Sequence, residues 1–111
     1  MSSYMVVIMT AAGKEEAVKI VRHLLSERLI VCANIIGPVF SLFWWDGKID
    51  EADEFLVFMK SKKDLFKRLS ERAKEIHSYQ VPEIIALPVI EGLPSYLDWL
   101  GSSLQSVSGH G

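Results

Sequence analysis

Two long β-like runs meet at Asp46-Gly47. The first, IVCANIIGPVFSLFWW, extends from Ile30 to Trp45, and the second, KIDEADEFLVFMKS, from Lys48 to Ser61. An Asp-Gly pair supplies the positive φ angles that a tight turn needs. The two runs are therefore predicted to form one long antiparallel hairpin. Gly37-Pro38 interrupts the first run. Proline cannot donate to a central ladder, so a bulge or bend is expected there. In the return strand the first half is acidic, which predicts a solvated segment, whereas Phe55 to Met59 is apolar on both faces.

The remaining elements arrange themselves around that hairpin. YMVVIMT, from Tyr4 to Thr10, is short, rich in β-branched residues and apolar on both faces, as a central strand is. The spacing then becomes helical, with Ala17, Ile20, Val21, Leu24, Leu25 and Arg28 on one face and Glu15 and Glu16 in the first turn, where they suit the helix dipole. Ser61 is expected to open the second helix, because SKKD matches the spacing of a capping box. Leu65, Leu69, Ala73 and Ile76 form its buried stripe, and Pro82 forces Val81 to be extended. EIIALPVIE reads as a fourth strand in which Pro88 requires an edge position or a bulge. GLPSYLDWLGSSL reads as a short last helix. The fold class is α+β: a ferredoxin-like βαββαβ sandwich with a long β2–β3 hairpin and an extra C-terminal helix. One domain is expected over residues 1–104, with residues 105–111 a flexible tail.

Two helices cover one face of such a sheet. Yet the strands are apolar on both faces, and half of the 111 residues are hydrophobic. A second copy of the chain is the expected cover, with Phe43, Trp44 and Trp45 near the hairpin tip as the arm that reaches it. A net charge of −2 gives no reason to expect a nucleic-acid partner, and the basic, glycine-bearing aromatic strand of an RNA-recognition domain is missing. The N-terminus has no basic segment ahead of its apolar run, and no stretch is long enough to cross a bilayer, so a cytoplasmic protein without membrane contact is expected.

Chemistry-bearing residues concentrate in IHSYQVPEIIALPV, from Ile76 to Val89. His77 reads either as a helix C-terminal residue near the last carbonyls or as a ligand. Tyr79 reads as a ring under the loop with its hydroxyl bonded to backbone. Glu83, at the entry to an apolar strand, requires partners if buried, and His77, Tyr79 and Lys60 are candidates. Cys32 is the single cysteine, which excludes an intrachain disulfide and multi-cysteine zinc patterns. It reads as an inert core thiol or as a soft metal ligand. Gly13-Lys14 lacks the rest of a phosphate-binding loop and reads as a helix start. No nucleophile, base and orienting group are spaced to converge, so no enzyme is expected.

Three blocks, CANIIGPVFSLFWWDGKIDEADEFLVFMKS, HSYQVPEIIALPV and YLDWL, resemble the CutA family of divalent-cation tolerance proteins. The resemblance runs through most of residues 4–104. It implies a homotrimer whose hairpin arms pair between subunits, a link to tolerance of copper and other divalent metals, and copper binding in some members. His77, Tyr79, Pro82 and Glu83 match the family's HPYxxPE block, with Ser78 where proline is usual. Cys32 and Asn34 match its CxN strand, and Trp45 and Gly47 its WxG turn. Phe43 stands where many relatives have tyrosine. Met9 and Ile76 stand where some bacterial relatives have cysteine and a second histidine. By this resemblance His77 is the leading metal ligand, followed by Glu83, with Cys32 and the Met9 thioether as soft donors suited to Cu(I). Copper or another divalent metal is the expected ion, with no organic cofactor. Two alternatives remain: a small-molecule sensor like the trimeric PII signalling proteins, with a pocket between subunits near Trp45, Lys60 and Tyr79, and a purely structural trimer.

Overall fold

A computed structural model describes residues 3–106. The chain runs β1 (Tyr4–Ala11), α1 (Lys14–Ser26), β2 (Cys32–Trp45), β3 (Lys48–Lys62), a 3-10 turn (Lys63–Leu65), α2 (Phe66–Ile76), β4 (Ile84–Pro88) and α3 (Pro94–Ser103). The four strands make one sheet in the order β2-β3-β1-β4, antiparallel throughout. The class is α+β, and βαββαβ is followed by the additional helix.

Asp46 and Gly47 both take positive φ, 52° and 77°, so the hairpin closes in two residues. The interruption at Gly37-Pro38 is a bulge: pairing with β3 shifts between Ile36 and Val39. A Cβ at Gly37 would lie 2.6 Å from the Phe55 ring, so only glycine fits where the arm leaves the body. Pro88 ends β4 at the sheet's edge, where its missing N–H deprives no neighbour.

Strand alternation sorts the side chains into two populations. Met5, Val7, Met9, Val57 and Met59 point toward the helices and join Ala17, Ile20, Leu24, Leu69 and Ala73 in one core. Register places Ile8 opposite both Phe58 and Ile85, and Leu56 opposite Ile36, on the other face. Among the described residues no helix covers that face in full. Ile36, Ile85 and Leu87 remain 50%, 48% and 49% exposed.

Two local expectations fail. Ser61 does not cap a helix. It lies in β3 opposite Met5, fully buried, and its hydroxyl donates to the Leu29 carbonyl at 2.7 Å. That carbonyl would otherwise be an unpaired acceptor, and satisfying it outweighs a cap. Arg28 is not on the buried stripe of α1. It stands beyond the helix with φ 55°; its N–H reaches the Leu25 carbonyl while that of Leu29 reaches Leu24. This paired closure reverses the chain, with arginine in the left-handed position where glycine is usual, and leaves Leu25 at the rim. Gln105 donates from its backbone to Arg28 and from its side chain to the Glu27 carbonyl, while residues 107–111 lie outside the described residues.

Candidate functional site

The helical pattern of α2 ends at His77, whose backbone turns extended at φ −70° and ψ 141°. Its ring is driven inward and its side chain is completely buried. Nε2 lies 2.7 Å from the carbonyl oxygen of Thr10 on β1, and Nδ1 lies 3.0 Å from the backbone nitrogen of Tyr79. An amide N–H can only donate, so Nδ1 is the acceptor and Nε2 carries the proton that goes to Thr10. Both ring nitrogens are engaged in this arrangement.

Glu16, on the first turn of α1, closes the cluster from the other side. Its Oε2 accepts the Ser78 backbone N–H at 2.6 Å and lies 3.8 Å from Nδ1 of His77, while Oε1 accepts from Ala12 at 3.3 Å. Partial burial works to raise the Glu16 pKa. The Ser78 and Ala12 hydrogen bonds, with His77 nearby, outweigh it and leave the carboxyl below its ordinary value. Tyr79 packs its ring 4.8 Å from that of His77 and donates its hydroxyl to Glu54 Oε2 at 2.7 Å. Burial, then the bond to the Glu54 carboxylate, push the Tyr79 pKa far upward, so the phenol stays a neutral donor.

Beyond this network a groove of about 660 Å³ opens between the hairpin arm and the loop after α2. Trp44 and Trp45 line it from the arm, Glu54 from β3, and Tyr79 and Glu83 from the loop. Thus Trp45, Tyr79 and Glu83 share one groove, with His77 directly behind Tyr79. The other residues singled out from sequence are elsewhere. Met9 faces the helices with no exposure. Cys32 is on the opposite face of the sheet, level with Lys60 on β3. Its Sγ sits 3.5 Å from the Tyr96 hydroxyl, and that bond, with burial, raises the Tyr96 pKa. Lys60 does not line the groove; it donates to Asn34. Among the described residues no three His, Cys, Asp or Glu side chains converge as a metal-binding group. Glu16 and Glu54 escaped the sequence reading as site residues. Glu54 shares its strand parity with Leu56 and Phe58, and this alternation was the available signal.

The family model of the CutA1 divalent ion tolerance protein matches residues 5–103. The chain belongs to the CutA family. It is 43% identical over 95 residues to the divalent-cation tolerance protein CutA of Thermus thermophilus, covering 86% of this chain and 92% of that one. It is 38% identical over 99 residues to the CutA of Archaeoglobus fulgidus, covering 89% and 96%. Among solved structures, the Thermus thermophilus protein superposes with a TM-score of 0.90 at 40% identity, over 92% of this chain and 99% of that one. The rice CutA1 structure superposes with a TM-score of 0.92 at 36% identity, over 95% and 96%. The family is named for tolerance of divalent cations and not for a reaction. Among the described residues, no helix of this CutA chain is long and apolar enough to cross a membrane.

Proposed function

We propose that three copies of the chain assemble through the bare sheet face and the hairpin arms, and that the trimer serves divalent-cation tolerance without catalysing a reaction. One observation carries this reading: the apolar face opposite the helices, with Ile36, Ile85 and Leu87 about half exposed. Along the arm, register places Phe43 and Trp45 on that same face at 38% and 52% exposure, and Phe40, Leu42 and Trp44 on the reverse side of the arm. Covering each half-exposed aliphatic is worth roughly 1 kcal/mol, repeated at every boundary of a closed ring.

The trimer binds a divalent ion, copper being the leading candidate, with modest affinity. One chain does not supply a full ligand set among the described residues, so the donors come from two copies. Glu83 is exposed and is the first donor. His77 joins only by exchanging its bond to the Thr10 carbonyl for one to the metal. Cys32 is the soft donor on the face to be covered, whereas Met9 is shut in the core. A single free cysteine suits the reducing cytoplasm, where this reading places the protein. The rice relative is named chloroplastic and the Archaeoglobus structure periplasmic, so cell fractionation checks the location directly.

Native mass spectrometry with and without copper tests both parts. Trimers that take up a fixed number of ions, and fewer in Glu83→Ala, are expected. Trimers that take up none would end the metal assignment, and monomers in both samples would end the assembly.

A further inference from the structure

We propose that copies join head to tail across the sheet face opposite the helices, Lys60 of one copy forming an ion pair with Glu54 of the next. The inference rests on the assembly proposed above and adds which end of the face meets which. Asp50, Glu54, Leu56, Phe58, Lys60 and Lys62 share one parity along β3, so they belong to that face. The row is acidic on the arm, apolar at Leu56 and Phe58, and basic where the strand ends. At roughly 3.3 Å per residue, Glu54 and Lys60 stand about 20 Å apart along the strand, beyond each other's reach within one chain.

Neither charge is answered within the chain. Glu54 is only 7% exposed, and among the described residues its one hydrogen-bond donor is the neutral Tyr79 hydroxyl. Lys60 is partly buried and donates to the neutral side-chain carbonyl of Asn34. The ion pairs among the described residues join Arg72 to Glu27 and Glu75, and Glu16 to His77 when that ring is protonated; none includes Glu54 or Lys60. Covering the face withdraws both groups further from water, and a charge withdrawn without a counter-charge is costly. A closed ring of three removes that cost. Each of its boundaries sets one patch of a copy against a different patch of the next, so the basic end can meet the acidic end three times over. The apolar residues between the two ends supply area without direction, and contact of that kind tolerates sliding. Opposite charges fix the register and penalise arrangements that set like charges together.

The test follows subunit exchange between unlabelled and isotope-labelled protein by native mass spectrometry. Lys60→Met keeps the aliphatic stem, and Glu54→Gln keeps an acceptor for Tyr79. Each should shorten the exchange half-time about tenfold. The combined variant should exchange no faster than either alone, because each change already removes the same pair. Residues so far apart in one chain are expected to act independently, so this non-additivity reports contact between copies. Lys60→Glu sets two carboxylates against each other and should exchange faster than Lys60→Met, a comparison that stays decisive if Glu54→Gln misfolds. Single variants that exchange at the unmodified rate, effects that multiply in the combined variant, or a Lys60→Glu protein no faster than Lys60→Met would overturn the pairing and leave the trimer standing. Unmodified protein that forms no trimer would end the assembly itself, and the pairing with it.

Discussion

The two faces of the sheet are built from the same four strands and end in opposite states. On the helix side Val7, Met9, Val57 and Met59 have no exposure at all. On the other side Ile36, Ile85 and Leu87 keep about half of theirs. The composition of the strands does not separate the two faces. What separates them is that α1 and α2 supply a layer for one, whereas among the described residues only α3 reaches the other, at Tyr96 against Cys32. The first face therefore holds a single chain together, and the second is available to hold chains to each other.

The largest expected effect breaks the covered face. Leu69→Ala empties a fully buried position on α2 and should cost about 3 kcal/mol, read as a lower denaturant midpoint with an unchanged slope. His77→Ala comes next. It strips the partners from the Thr10 carbonyl and the Tyr79 N–H, a loss of roughly 2 kcal/mol by equilibrium unfolding. A loss well below that would mean water replaces the ring, and the cluster would be less a structural tie than its geometry indicates.

Ile85→Asp addresses the uncovered face. The folding of the isolated chain should change by no more than about 0.5 kcal/mol, because the side chain already meets solvent, while sedimentation should show the assembly falling apart. Equal damage to both quantities would erase the distinction between the faces. The smallest effect is the acid limb. The Glu16 carboxyl has a folded-state pKa below its ordinary value of 4.5. Its contribution is complete above that value and is lost as pH falls through the folded pKa. Urea midpoints across the acid range should fall less steeply in Glu16→Gln than in the unmodified chain.

Where neighbours in sequence are neighbours in space, the pattern was readable. The period of two in β1, the Asp46-Gly47 turn and the Leu65–Leu69–Ala73 stripe all describe contacts set by local geometry. The proline at the sheet edge and the bulge at Gly37-Pro38 followed from one missing donor. The site was legible only in part. His77, Tyr79 and Glu83 stood out because they crowd one loop, but their partners come from far along the chain: Thr10 is 67 residues from His77, Glu16 is 62 from Ser78, and Glu54 is 25 from Tyr79. Ser61 shows the same limit from the other direction. Its spacing fits a cap, and a carbonyl 32 residues away claimed its hydroxyl.

The half-covered sheet has a consequence for how much of the protein a cell must make. If, as proposed above, the chain completes its burial against its own copies, part of its stability comes from mass action. Its melting temperature should climb as the solution is concentrated and drop on dilution, with no change in sequence. Dosage then becomes a determinant of folding: a cell that halves its supply also makes each surviving molecule easier to unfold.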